Sequence, residues 1–486
     1  MRTNYRVNSG VRFQMLSDDQ LQELMDGALH VLEYIGPEVH HEGAREVLRE
    51  AGAWVDGVRV RIPSYLVRDA LAKAPRSFTI FARGDNRQHD INIGPGRAHF
   101  GPGPTPPNFI DVETLERRPY LRNDAEIVAK VCDALPNIDF VESLGTVSDV
   151  HPDLAATYEF ATMFPNTSKP IVAWSYGVDD AEDMHKIAIA EAGGQTAFEY
   201  RPNYVHYCEP LSPLVANEEA LDKLLFCADK RIPVIFTPIP LAGGTGPITA
   251  AGNIIQAAAD SWVGLVIAQH LRPGLPFFMG SVLSVMDMSA MILAYGAPEL
   301  SLMMAGLSEL AHYVGLPLWQ TGGCTDSKTL DGQAAIEGSL SVYFSALVEG
   351  DLTHDVGYTE SGMTGSILQT VMMDEAIGYA RRITRGIEVN EDTLAVDVID
   401  RVGPNGHYLK DKHTRKHYKT EFWYPNMSDR QSFEDWDMMG ATTMKDRTID
   451  RTREILATHQ AAPVKPETEK VIQQVLDEAE ERVKDK

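Results

Sequence analysis

The chain predicts an α/β protein: a closed (β/α)8 TIM barrel with an α-rich N-terminal segment and a C-terminal helical extension. Eight short apolar runs, each ending in Gly, Pro, Ser or Asp, alternate with helical stretches through the middle of the sequence. Strands alternating with helices pair in parallel, and eight such units over about 280 residues are enough to close a barrel. An open doubly wound sheet is the competing architecture. Against it, no GxGxxG follows a strand and no GxxxxGK[ST] occurs, and GGTGP at 243–247 lacks the phosphate-loop lysine.

Taken in order, residues 1–96 read as mainly helical. SDDQLQELMDGALHVLEYIG opens on a serine cap followed by acids, with apolar residues every three or four positions. HEGAREVLREAGAWVDG repeats the theme, and the helical pattern continues to about Ala74. SFTIFARGDNRQHDINIGPG alternates and reads as a hairpin or short strands. The barrel occupies 97–385, with strands expected at RAHFG, IDFVESLG, KPIVAWSYG, NYVHYCEPLSP, PVIFTPIPLAGGTG, PFFMGSVLSVMD, LPLWQTGGCTDSK and DLTHDVGYTESG. Residues 386–486 read as helices packing on the barrel, and they contain a basic island, HYLKDKHTRKHYKTEFWYP at 407–425.

Composition narrows the function classes. A formal net charge of −25 argues against nucleic acid or an anionic membrane as the main partner. The four cysteines form no CxxC pair, so a reducing cytoplasm fits better than a disulfide framework. The N-terminal stretch has no apolar core of signal-peptide length, and no run of about 18 uninterrupted apolar residues marks a membrane span. A large barrel with helical surfaces suggests a homo-oligomer.

Barrel chemistry sits at the C-terminal ends of the strands. The candidates there are Phe100, Trp174, Tyr176, Glu209, Phe236, Met279, Trp319, Asp326, Lys328, His354, Asp355, Tyr358 and Glu360. Six of these thirteen are aromatic, and aromatic faces attract cations. The richest stretch is HDVGYTESGMTGS, 354–366, whose glycines Gly357, Gly362 and Gly365 allow tight turns and close approach to a ligand. A zinc site from His206, Cys208, Cys324 and His354 is weaker, because no HExxH or paired-cysteine motif supports it. Glu209, Asp326, Asp355 and Glu360 offer carboxylates for glycoside chemistry, though acids at strand ends are common. No GxSxG elbow is present.

GGCTDSKTLDGQAAIEGSL, HDVGYTESGMTGS, DEAIGYARRITRGIEV, LAVDVIDRVGPNGHYLKDKHTRKHYKTEFWYP and SDRQSFEDWDMMG resemble, in order, the blocks of the trimethylamine methyltransferase family. The resemblance spans roughly residues 17 to 460 and is strongest after residue 315. It implies a barrel that passes a methyl group to the cobalt of a cobalamin (corrinoid) carried by a separate corrinoid-binding protein. The founding members carry a pyrrolysine near the region matching GGCTDSK; here only standard residues stand there. The chain thus resembles the non-pyrrolysine branch, whose assigned substrates are quaternary amines such as glycine betaine (the favoured one), proline betaine, carnitine and γ-butyrobetaine.

A quaternary substrate suits ordinary side chains. Its leaving group departs as a neutral tertiary amine, so no general acid is required. The resemblance therefore implies a site that positions and desolvates a cation. Substrate contacts are expected from Phe100, Trp174, Tyr176, Glu209, Phe236, Trp319, His354 and Tyr358, and positioning from His354, Asp355 and Glu360. Asp326, Lys328, Gly357 and Gly362 are expected to face the corrinoid, and the basic island to help dock its carrier protein. No tightly bound metal is expected. The alternative is a barrel that binds a betaine or another cation without catalysis.

Overall fold

A computed structural model describes residues 8–9, 11, 13–84 and 87–484. The first seven residues, part of the stretch read for a signal peptide, lie outside the described residues.

The eight apolar runs form the barrel. Its strands are β1 (His99–Phe100), the extended segment 138–142 (β2), β3 (Ile171–Trp174), β4 (Tyr204–Cys208), β5 (Val234–Phe236), β6 (Phe277–Gly280), β7 (Leu318–Thr321) and β8 (Leu352–His354). From β3 to β8 neighbours pair in parallel and in sequence order, and β8 pairs in parallel with β1. The segment 138–142 closes the circle. Asp139 N donates to Phe100 O at 2.7 Å, and Val141 bridges to Ile171 in parallel. The open-sheet alternative is excluded by this closure.

Strand register decides which residues enter the barrel. Phe140, Val172, Val205, Ile235, Phe278, Trp319 and Leu352 form an inner core. The hairpin Phe78–Ile80/Ile91–Ile93 plugs its lower end, adding Ile80, Ile91 and Ile93 to the same core. Phe81 N donates to Pro202 O and Arg83 N to Ser168 O, which fixes the plug to the loops leading into β4 and β3. With the bottom sealed, the C-terminal end of the strands is the mouth.

The outer faces of the strands are buried too, under helices. This is why the strand runs are nearly continuously apolar rather than alternating. Helix Ala250–Leu271 is long and apolar enough to cross a membrane, but 78% of its apolar window is buried. Helices Asp18–His30, Glu42–Ala51 and Ser64–Lys73 cover its outer side, so it is apolar all round as a core helix must be. The first of them starts at the expected serine cap, a capping box between Ser17 and Gln20.

The reading of residues 17–74 as helical needs one correction. Trp54–Asp56 and Arg59–Arg61 are strands that join Glu38–Val39 and Val215–Ala216 in a small sheet. Two- and three-residue strands are too short to show a period. In the C-terminal region, helix Met444–Thr458 packs on Ile367–Thr384, and Pro466–Lys484 lies on Val178–Ala192, where Arg482 pairs with buried Asp183.

Candidate active site

The site is built from side chains at the inner, upper ends of the strands. Trp319 of β7 and His354 of β8 stack face to face, with ring centroids 4.3 Å apart and planes 18° apart. Tyr207 of β4 flanks both, at 6.1 Å from Trp319 and 6.4 Å from His354. Tyr295, from the loop after β6, meets Tyr358 edge-on at 5.8 Å. At the rim, Trp174 and Tyr176 make a second edge-on pair at 4.8 Å. Trp174 is fixed because its Nε1 donates to Glu159 at 2.8 Å.

Three carboxylates share this aromatic lining. Glu209 accepts the Tyr207 hydroxyl at 2.8 Å, with surface still open to the mouth, and burial of its carboxyl raises its pKa despite that donor. Asp355 and Glu142 are wholly buried, and none of their four oxygens has a hydrogen-bond partner among the described residues. Asp355 Oδ1 lies 2.8 Å from His354 Nδ1, but the ring nitrogen and the carboxylate are not aligned for a hydrogen bond. Glu142 is pushed well above the ordinary carboxylate range, first by burial and then by the charge of Asp355. Trp319 Nε1 and Thr237 Oγ1 are likewise buried without hydrogen-bond partners among the described residues. Buried polar groups are ordinarily paired, so unpaired ones gathered at a barrel mouth make this the candidate ligand site.

The backbone around residue 355 explains how two consecutive residues face the axis. Adjacent strand residues point to opposite faces, but Asp355 has φ +70°, a left-handed conformation unfavourable for a residue with a side chain. The turn redirects its carboxylate inward beside His354. Gly103 makes room for it: a Cβ there would fall on the Asp355 carboxylate and 2.7 Å from the Tyr358 hydroxyl.

The structure thus brings together Trp174, Tyr176, Glu209, Trp319, His354, Asp355 and Tyr358. Others lie elsewhere. Phe236 points outward and packs on helix Ala250–Leu271, where a Cβ on Gly264 would come within 2.5 Å of its ring. Phe100 and Met279 belong to the same outer core, out of phase with inward Gly101 and Gly280. Glu360 sits outside the lining, paired with Arg117 at 2.7 Å. Lys328 is exposed, and its Nζ donates to Asp326 O.

Asp326 accepts Tyr295 N at 2.8 Å and Gly296 N at 2.9 Å, so its carboxylate is committed to the backbone that carries Tyr295. Gly362 lies under the Tyr295 ring, and Gly357, at φ +114°, packs on Thr370 as the chain turns out of β8. His206 faces outward to Ser175 Oγ at 3.1 Å and cannot meet His354 in a zinc site; burial lowers its pKa to about 3.

The basic island is also displaced from the mouth. Arg382 donates to Glu421 O and Arg385 to Thr420 O, which fastens helix Lys412–Glu421 to the C-terminal end of Ile367–Thr384. That end lies by the strand starts, where Arg381 meets Asp139 at 2.6 Å. The mouth loops instead expose apolar side chains: Leu211 after β4, Ile248 after β5, Met288 and Met291 after β6, and Met363 after β8.

Residues missed in the sequence are Glu142, Tyr207, Thr237 and Tyr295. The first three stand on or just beyond recognised strands, so strand phase was the available signal. Tyr295 lies in a loop and gave none.

The comparisons with known proteins agree with this architecture. The family model for trimethylamine methyltransferase (MTTB) matches residues 2–483. The chain is 32% identical to the trimethylamine methyltransferase MttB of Desulfitobacterium hafniense (strain DSM 10664 / DCB-2), over 96% of this chain and 94% of that protein. It is also 32% identical to the glycine betaine methyltransferase of Desulfitobacterium hafniense (strain Y51), over 95% and 96% of the two chains. The Methanosarcina barkeri monomethylamine methyltransferase MtmB shares the fold, with a TM-score of 0.52 at 13% identity, covering 97% of this chain and 88% of that one. With a parallel barrel and an aromatic, acidic mouth in place, the chain belongs to the trimethylamine methyltransferase family and is a methyltransferase.

Proposed function

We propose that this enzyme removes a methyl group from a quaternary amine, with glycine betaine the favoured substrate, and delivers it to a corrinoid protein. The observation that carries the reading is the pair of buried carboxylates, Glu142 and Asp355, which accept no hydrogen bond among the described residues and are set among Trp319, Tyr207, Tyr295 and Tyr358. A trimethylammonium group accepts no hydrogen bond and carries a diffuse positive charge. Ring faces and carboxylates hold such a group through its charge, with no hydrogen bond to the nitrogen.

The residues divide the work. Tyr207, Trp319, Tyr295 and Tyr358 enclose the methyl groups and exclude water. Glu142 and Asp355 balance the charge. His354 is held by the Trp319 stack and by Thr321 Oγ1, 3.2 Å from its Nε2, and it sets the position of the Asp355 side. Displacement at the methyl carbon neutralises the nitrogen, so the carboxylates stabilise the bound cation more than the transition state. Rate enhancement then rests on alignment.

A corrinoid carried by a partner protein would supply a nucleophilic cobalt that accepts the methyl group. The exposed apolar rim at Leu211, Ile248, Met288, Met291 and Met363 fits that role as the surface its carrier meets. The four unpaired, buried cysteines suit a reducing cytoplasm.

The test is anaerobic. Mixing the enzyme with cob(I)alamin and glycine betaine, proline betaine, carnitine, γ-butyrobetaine or trimethylamine should produce methyl-cob(III)alamin with one betaine. Betaine binding by calorimetry without methyl transfer, to free cobalamin or to a corrinoid protein, would favour a binding barrel. Transfer from trimethylamine alone would overturn the quaternary-amine reading.

A further inference from the structure

We propose that Asp392, His413 and His417 form a binding site for a divalent transition-metal ion of the zinc class, far from the barrel mouth. Offered one atom each, the three side chains bring their ligand atoms within 4.8 Å of one another. His413 and His417 are four residues apart on helix Lys412–Glu421, so both project from one face, and their ring centroids are 4.4 Å apart. Two histidines at this spacing on a helix are a recurrent zinc-binding pair. Asp392 comes from a separate short helix, Glu391–Leu394, and supplies the carboxylate.

His413 Nε2 lies 3.2 Å from Asp392 O, a hydrogen bond that a metal would replace, whereas the His417–Asp392 contact is not a hydrogen bond. His417 Nε2 lies 3.1 Å from Asp392 Oδ2, yet this buried nitrogen has no hydrogen-bond partner among the described residues. Two donors on one tetrahedral zinc, each about 2.0–2.1 Å from the ion, stand roughly 3.3–3.4 Å apart. The His417–Asp392 separation is already close to that value. Nearby groups brace the triad. Asp411 caps the helix at His413 N and is gripped by Arg401, which fixes where the histidines begin. The competing cation is Lys416, whose Nζ reaches Asp392 Oδ2 at 2.5 Å. A bound ion would displace that lysine and bolt helix Lys412–Glu421 to Glu391–Leu394. Two imidazoles and one carboxylate favour zinc, nickel or iron(II) over magnesium or calcium.

Zinc chloride is the probe. The untagged full-length chain, freed of metal with a chelator, is titrated with Zn2+ against a chromophoric competitor. One ion per chain should bind with Kd below about 1 μM, a range in which structural zinc sites hold their metal at neutral pH. His413→Ala and His417→Ala should each weaken it at least tenfold, and Lys416→Ala should tighten it. Hydrogen exchange should slow on zinc binding in residues 391–394 and 412–421 and stay unchanged in the barrel strands. The proposal is overturned if affinity is indifferent to both histidines. It is also overturned if magnesium binds as tightly, or if only Lys416→Ala binds zinc, since the lysine then owns the carboxylate. The site is peripheral, so the variants should retain the far-ultraviolet circular dichroism of the parent. A variant that loses it is replaced by His→Gln.

Discussion

Betaine binding should expel a proton from Glu142. In the free enzyme this carboxyl is raised well above its ordinary value, because it is buried without a donor and faces Asp355. It is therefore protonated at pH values where exposed glutamates are ionised. A quaternary ammonium has no proton of its own, so any pH dependence of its affinity belongs to the protein. If the cation binds the ionised form, affinity rises tenfold for each pH unit below the free-enzyme pKa and levels off above it. The magnitude follows from Coulomb's law: an ammonium about 5 Å from a carboxylate gains about 3 kcal/mol at an effective dielectric of about 20, roughly a hundredfold in Kd. Glu142→Gln mimics the protonated acid. Its Kd should match the parent at low pH, fall behind by roughly a hundredfold on the plateau, and lose the slope. Its kcat should rise rather than fall, since the lost interaction stabilises the bound cation more than the transition state. Calorimetry in buffers of different ionisation enthalpy reads proton release directly. A flat pH profile in the parent, or a slope that survives in Glu142→Gln, would refute the reasoning.

Other outcomes follow from the same geometry. Trp319→Leu removes the ring stacked on His354 and should raise KM for the betaine by roughly tenfold, the size of a lost cation–ring contact plus a loosened imidazole, in steady-state assays. Asp326→Ala frees the backbone at Tyr295 and Gly296, and should raise KM about three- to tenfold without exposing the barrel core to hydrogen exchange. Gly103→Ala forces a methyl onto Asp355 and Tyr358; it should cost about 1–3 kcal/mol in urea unfolding and abolish betaine binding. Glu159, which holds Trp174 and is raised by burial to about 8, should make stability pH-dependent. A carboxyl raised on folding contributes stability that is fully present below about pH 4.5 and lost as pH rises through about 8, with an upper limit of about 5 kcal/mol. Thermal melts of Glu159→Gln against the parent from pH 5 to 9 should show the parent losing ground. Parallel curves would refute the assignment.

The barrel was legible in the sequence because each of its eight strands is an apolar run with a turn signal at its end. The site was legible only in part, and the reason is phase. A strand buried on both faces carries no polar alternation, so nothing in PVIFTP says whether Phe236 or Thr237 turns inward. Phe236 was the aromatic and drew the assignment, yet it packs on helix Ala250–Leu271, while Thr237 is the residue one step further in phase with Ile235. Where one strand-end residue could be anchored independently, the rest followed: His354 and Tyr358 lie in a segment with enough glycines to mark a turn, and both line the mouth. The 407–425 island shows the opposite error. Its charge contrast was real, but charge along a chain carries no information on which end of a barrel a helix is tied to. That is set by Arg382 and Arg385 gripping Glu421 and Thr420 at the end of the last barrel helix.

Glu142 shows why the most informative residue can be the least visible. In IDFVESLG it reads as one acid after an apolar run, and such acids are common at strand ends. Its place in the candidate site arises from a combination that no local window contains: burial from all sides, Asp355 turned inward by a left-handed backbone, and no hydrogen bond to either of its oxygens among the described residues. An enzyme that protonated a leaving group would pair such an acid with the nitrogen it serves. On the proposed reading the nitrogen has no lone pair to protonate, and a raised carboxyl beside it would serve by becoming an anion when the cation arrives. The cost of that ionisation in the empty site is the same desolvation that makes the site dry for methyl transfer.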